Sequence, residues 1–252
     1  MSSKDIQSIW AIFKREFLAY FNSPVLYVIV VIFLLASQGF AFMFGRFLEG
    51  DNASLTQSFF FWHPWIYIVL APAVGMRLWS EEQRLGTIEL LMTMPVAPWH
   101  AIIGKFKAAA LVWLIALILT FPIVWTVFYL GDPDRGPIVS GYVASYLYAL
   151  GCLAVTSAVS AFTRSQVVCF IVSVAVCMLL TLIGYPGIID WFVKSLPASL
   201  EGGVRFIGYL SFMDHFYEMS KGVFVFRDVL YFVSVIIFGL LVTSQALRAK
   251  RA

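Results

Sequence analysis

The residues of this chain whose chemistry could hold a metal, move a proton or attack a bond are three histidines, three cysteines and fourteen Asp/Glu carboxylates. His63, His100 and His215 lie far apart, on segments that alternate between the two faces of the topology derived below. They are expected as interfacial or solvated side chains that cannot meet at one metal. Cys152, Cys169 and Cys177 sit inside apolar stretches with neither CxxC spacing nor a secreted framework, and read as small buried hydrophobes. A phosphate-binding loop is not expected, because Gly104-Lys105 has no glycine at the required upstream position. Asp214 and Glu218 share a helical face, as a solvated surface or as a substrate gate. The densest cluster of charge beside apolar residues is Ser80-Glu81-Glu82-Gln83-Arg84-Leu85-Gly86-Thr87-Ile88-Glu89-Leu90-Leu91-Met92-Thr93-Met94-Pro95. Its chemistry is that of recognition rather than catalysis.

The elements that must hold these residues belong to a bilayer. Of 252 residues, 61% are hydrophobic and only 12% charged, with 17% aromatic and a net charge of +3. That excludes a water-soluble globule and a disordered chain, and the small positive surplus does not suggest nucleic-acid binding. Six runs without Asp, Glu, Lys or Arg approach the about 20 residues a spanning helix needs: Val25–Gly45, Ser58–Met76, Ala108–Leu130, Ile138–Phe162, Ser165–Ile189 and Val229–Leu247. They do not alternate as barrel strands would. Placing the N-terminus in the cytoplasm puts eleven of the seventeen Lys/Arg on the cytoplasmic side, so both termini are expected there and no cleavable signal peptide is expected. The whole of 1–252 is read as one all-α integral membrane domain.

Local patterns refine this. Within 1–23, Ile6, Ile9, Trp10, Phe13, Phe17 and Phe21 recur at helical steps around Lys14, Arg15 and Glu16. This predicts an amphipathic interfacial helix, a simple anchor or an elbow that positions the bundle, ending where Pro24 opens the first span. In 190–227, apolar residues mix with charges; Ser211 followed by Asp214 reads as a helix start and Gly222 as a stop, so short outer-leaflet helices are expected. Pro72 and Pro122 should kink their spans, for gating or for shape. Gly141, Ala144, Ser145, Ala149, Ala154, Ser157, Ala158 and Ala161 make span four suited to close packing, within the subunit or between subunits.

In the segment 80–98, Ser80 with Gln83 reads as a capping box, Gly86 as a turn, Thr87 as the cap of a short helix Ile88–Met94, and Pro95 as its stop. A seven-residue helix apolar nearly all round is unstable alone in water. Either it packs beneath its own bundle or it fills a groove on a cytosolic partner.

The string from Glu81 to Val96 resembles the signature of ABC-2-type ABC-transporter permeases, in which an E-x-x-x-G-T-x-E-x-L-x-x-x-P-like stretch follows the second span. Lys14-Arg15-Glu16-Phe17 through Pro24 is similar to the family's N-terminal elbow, and Gly222-Val223-Phe224 through Val229 is similar to the start of the last span in the gliding-motility-associated GldF-like branch. The resemblance implies a permease subunit of the bacterial inner membrane that pairs with a second permease, as homodimer or heterodimer. It also implies that the stretch between spans two and three is a coupling helix seated in a separate cytosolic ATPase, which carries ATP and magnesium; no cofactor is expected on this chain. Glu81, Glu82, Arg84, Gly86, Thr87, Glu89, Leu90, Leu91 and Pro95 fall on the family pattern; Gly86 and Pro95 would shape the helix ends, Ile88, Leu91 and Met92 would form the apolar key, and Glu82, Arg84 and Glu89 would make polar rim contacts. A GldG-like membrane partner with a large extracytoplasmic domain is implied as well. The charge-free spans argue against a secondary carrier or an intramembrane enzyme and suggest an amphiphilic substrate or mechanical output; a scaffold that only docks an ATPase is the other reading.

Overall fold

The computed structural model describes residues 3–45, 55–89, 97–131, 133–185, 187, 189, 202, 208–223 and 225–250. Among them no strand occurs, and the chain is a bundle of helices. The helix α1 (Ser3–Phe21) is followed after Asn22-Ser23 by α2 (Pro24–Met43), with Pro24 in its first turn, where the missing N–H costs nothing. Then come the single turn α3 (Leu55–Ser58), a 3-10 turn at Phe60–Trp62, α4 (His63–Gly75) and α5 (Arg77–Leu85), the last two joined through Met76 in helical conformation. Next are α6 (Pro98–Ile118) and α7 (Pro122–Leu130), separated by the turn that Pro122 requires, while Pro72 stays inside α4.

The long central helix α8 (Arg135–Phe162) starts at Asp134, whose carboxylate accepts from the Gly136 N–H at 3.0 Å. Ser165 caps α9 (Gln166–Leu182), and Ser211 caps α10 (Phe212–Ser220) by accepting from the Met213 N–H at 3.2 Å. Gly222, at φ 96°, follows α10 where a stop was expected, and α11 (Phe226–Ala249) completes the bundle.

Five helical stretches are long and apolar enough to cross a membrane: Pro24–Met43, Leu55–Leu85, Pro98–Leu130, Arg135–Phe162 and Phe226–Ala249. The fifth run expected from sequence, Ser165–Ile189, contributes a helix of only 17 residues, Gln166–Leu182, about 26 Å long. It stops early because α10 closes on its end. Ser211 Oγ donates to the Thr181 carbonyl at 3.1 Å, and a Cβ on Gly184 would lie 2.2 Å from that of Ser211. The third run begins ten residues before Ala108, since Pro98 can open the helix and nothing interrupts it until Ile118.

At the centre, α8 packs against α4, α5, α6, α9, α10 and α11. Its small residues make this possible: Ala144, Ser145, Ala149, Ala154 and Ala161 are fully buried, and a Cβ on Gly239 of α11 would come within 2.8 Å of the Ala154 carbonyl oxygen. Seven of the eight small residues are thus covered by helices of the same chain, and Ala158 is half-buried. Buried hydroxyls cross-link the helices, with Trp79 donating to Ser157 at 3.3 Å, Ser157 lying 3.2 Å from Thr243 and Tyr148 lying 2.6 Å from Thr181. Two ends result. One gathers α1, the end of α5, the start of α6 and the ends of α8 and α11; the other gathers the start of α8, α10 and the start of α11.

Candidate functional site

The segment singled out by its charges lies at the α1 end of the bundle, and α5 delivers it there. Ser80 does not open a capping box. It sits inside α5 with its Oγ bonded back to the Met76 carbonyl, because a serine hydroxyl in a helix shielded from water takes the nearest carbonyl one turn earlier. Gln83 is likewise drawn inward: its Nε2 donates to the carbonyls of Ser160 at 3.1 Å and Ala161 at 2.9 Å, while its Oε1 accepts from Lys250. Lys250 Nζ also donates to the Ala161 carbonyl at 2.8 Å, so one glutamine ties the last turns of α5, α8 and α11 together. Burial, and then the neighbouring charge of Arg164, lower the Lys250 pKa below its usual range.

Gly86 then ends α5 in the left-handed region, at φ 72° and ψ 1°, with nothing within 4 Å of a would-be Cβ. This is a backbone requirement and not a packing one. A new helical turn begins at Thr87, whose hydroxyl points back to the Glu82 carbonyl at 3.5 Å instead of capping the helix it opens. Arg84, Leu85, Gly86, Thr87 and Glu89 are exposed, and Leu85 stands out with 62% of its surface bare. Ile88 is half-buried and leans on the core of its own bundle. Leu90, Leu91, Met92, Met94 and Pro95 lie outside the described residues.

The two adjacent glutamates part company. Glu81 is half-buried and lines a cleft with Arg77. Glu82, expected as a polar rim contact, is engaged inside the subunit. Its carboxylate is 2.9 Å from Lys105 Nζ, which is also 3.2 Å from Glu16, and Arg15 reaches Glu16 at 2.6 Å and Glu82 at 3.8 Å. Lys105 is 3% exposed, with its ammonium 5.4 Å from the centre of the Trp79 ring. Burial alone would raise the pKa of Glu16, but Lys105, and Arg15 after it, hold it below the usual carboxylate range. One ammonium thus joins α1, α5 and α6. The rest of α1 fits this seat: Ile12 packs where Gly104 leaves room, while Trp10, Phe13 and Phe17 stack in succession at 5.1 and 5.7 Å and Phe21 meets Phe17 at 4.8 Å with the rings tilted by 60°.

Two of the three histidines depart from expectation. His63 is fully buried with Nδ1 2.8 Å from Ser145 Oγ, inside an aromatic cage that includes Phe59, Phe60 and Tyr67. His215 is also buried. Its Nε2 donates to the Tyr209 carbonyl at 2.8 Å, its Nδ1 is 2.7 Å from the fully buried carboxylate of Asp228, and Tyr231 stacks on the ring. A carbonyl can only accept, so Nε2 is the donor in that bond, and Nδ1 is left to face the Asp228 carboxylate. Neither burial was visible in sequence, because Ser145 lies 82 residues from His63 and Asp228 lies on a different helix from His215. His100 remains half-buried, 3.6 Å from Asp5. Asp214 and Glu218 are exposed, as a solvated face requires; Glu218 pairs with Lys221 at 2.6 Å. Partial burial raises the Asp214 pKa, against the lowering by His215. The three cysteines are buried and free.

Residues 65–244 match the family model described as ABC-2 family transporter protein, a stretch running from within α4 to within α11 and including the Gly86 segment. No curated protein matches the chain.

Proposed function

The chain belongs to the ABC-2 family of transporter proteins, a multi-pass membrane protein and permease component of an ABC transporter, and on that premise we propose that the segment around Gly86 couples it to the ATPase. In this reading ATP is hydrolysed by a separate cytosolic subunit whose groove receives the helix that starts at Thr87, with Leu91 and Met92 as apolar key and Arg84 and Glu89 at the rim. Leu85 joins the key, a residue the sequence pattern did not single out. The observation that carries the proposal is the bare elbow itself: an exposed leucine and a left-handed glycine, at the end of a membrane rod, leading into a run too apolar for water.

The connections behind the elbow explain how a push there would be felt. Gln83 binds α5 to α8 and α11, and Lys105 binds it to α1 and α6. Displacement of the elbow would move these five helices as one body, as rigid-body switching between inward- and outward-facing states requires. The function proposed is export of an amphiphilic substrate or mechanical work across the inner membrane, a reading supported by the six sequence runs that carry no Asp, Glu, Lys or Arg. In this reading there are six crossings, the sixth formed by the short α9, so that both termini share one side, and the excess of Lys and Arg on that side makes it the cytoplasmic one. The assembly holds a second permease subunit, identical or different, and the GldF-like character adds a GldG-like partner with a large extracytoplasmic domain.

The test is to replace Leu91→Asp and, separately, Leu85→Asp in the assembled transporter. Loss of ATPase association, or ATP hydrolysis that no longer moves substrate, is expected. Association and coupled activity unchanged in both variants would end the proposal.

A further inference from the structure

Beyond the docking elbow, and independent of it, a cleft opens at the same end of the bundle between α1, α2 and the α4–α5 rod, with a volume of about 120 Å³. Its walls are graded. On α2 the lining runs from Ser23, just before the helix, to Leu26 and Ile29; on the opposite rod it runs from Glu81 and Arg77 back to Val74 and Ala73. The two helices run in opposite directions, so both polar ends lie at one level and both apolar ends lie about 9–12 Å deeper in the bundle. A crevice that is polar at its mouth and hydrocarbon-lined below has the profile of an amphiphile standing in a bilayer.

The polar end specifies the head. Arg77 Nη1 donates to Ser23 Oγ at 3.3 Å, but its Nε is buried and finds no acceptor among the described residues. A guanidinium N–H withheld from water calls for an acceptor, and phosphate oxygens suit its fork geometry best. Glu81 shares the cleft and forms no ion pair among the described residues, whereas the neighbouring Glu16 is held by Lys105 and Arg15. A guanidinium with an open N–H beside an uncommitted carboxylate is the complement of a phosphate beside an ammonium.

We propose that this cleft is a phospholipid site selective for a phosphodiester headgroup bearing a primary ammonium. Arg77 takes the phosphate, Glu81 accepts from the ammonium N–H, and Leu26, Ile29, Ala73 and Val74 cover the start of an acyl chain. A trimethylated ammonium has no N–H for Glu81, and a net-anionic head would face its carboxylate unpaired.

The experiment uses the full chain, delipidated in detergent and titrated with short-chain phosphatidylethanolamine, phosphatidylcholine and phosphatidylglycerol while bound lipid is counted by native mass spectrometry. One phosphatidylethanolamine is expected to bind about tenfold more tightly than either other lipid. Arg77→Gln should lower its affinity about tenfold, and Glu81→Gln should reduce it to that of phosphatidylcholine. Arg77→Lys, which keeps the charge but not the fork, should fall between wild type and Arg77→Gln, and helicity by circular dichroism controls for misfolding. Three results would overturn the proposal: equal binding of the three lipids, wild-type affinity in both neutral variants, or binding of inorganic phosphate or phosphoethanolamine without tails as tight as the lipid, which would make this a site for a free anion.

Discussion

Lys105 reads along the sequence as one cation among several that follow the second span, and its burial changes what it does. A single ammonium between Glu16 and Glu82 neutralises two carboxylates that would otherwise face each other beneath α1. Lys105→Met should therefore destabilise the protein by about 3 kcal/mol, the low end for breaking a buried pair, because both glutamates keep some solvent contact. Thermal unfolding in detergent measures this, and adding Glu82→Gln to Lys105→Met should recover part of the loss. The pH dependence has a definite sign. The folded pKa of Glu16 lies below its ordinary 4.5, so its contribution is complete above that value and is lost as pH falls through the depressed one. Unfolding temperature should hold near neutrality and drop below about pH 4.5, and Glu16→Gln should make that drop shallower. Arg84, Glu89 and the turn at Gly86 stand exposed as their polar and glycine character suggests. The roles of Lys105 and Glu82 were not legible, because a charge next to a span is equally consistent with water and with a partner 23 residues away.

At the scale of elements, helix ends were the most readable feature. Ser211, Gly222, Pro24 and Gly86 act where their chemistry places them, since a cap or a left-handed turn is a local bargain between a residue and its own backbone. Ser80 misled for the same reason in reverse: its hydroxyl found a carbonyl within its own helix, an option a capping pattern does not exclude. Gly86→Ala should cost only about 1–2 kcal/mol, since no atom lies near the new methyl group and the penalty is that of the left-handed backbone. Its thermal stability should change little while association with the ATPase falls, as pull-down would show. The α8–α11 crossing behaves oppositely. Gly239→Leu places a side chain against the Ala154 backbone and should lower stability by about 2 kcal/mol through overpacking, visible as a lower unfolding temperature with the helix content intact. The buried stripe of α2, Leu26, Ile29, Phe33, Ser37 and Ala41, follows helical spacing, yet no periodicity reveals it because the exposed faces are just as apolar.

At the scale of the whole molecule, the two ends of the bundle make a topological prediction. Cysteines introduced singly by Arg84→Cys and Lys250→Cys should react with a membrane-impermeant maleimide from one side of sealed vesicles, and Lys221→Cys from the other. The native cysteines are buried and leave a clean background. Labelling of all three from the same side would remove the proposed six-crossing arrangement. The same geometry gives the exposed Tyr27, Val31, Ile171, Val176, Ile237 and Phe238 to lipid or to a second subunit rather than to water.

Composition and run length determined by themselves that this chain is helical and lives in a bilayer, and one string of local signals marked the segment at Gly86, because hydropathy, capping and backbone conformation are properties of neighbours in sequence. Only the tertiary structure decided that α9 stops short under α10, that most small residues of α8 are covered within the subunit, that His215 meets Asp228, and that Glu82 turns inward to Lys105. In a helix apolar on every side the period that would point to the core is erased. Where α8 crosses the other helices, or where an ammonium meets a carboxylate, then depends on contacts between distant parts of the chain that no single stretch encodes.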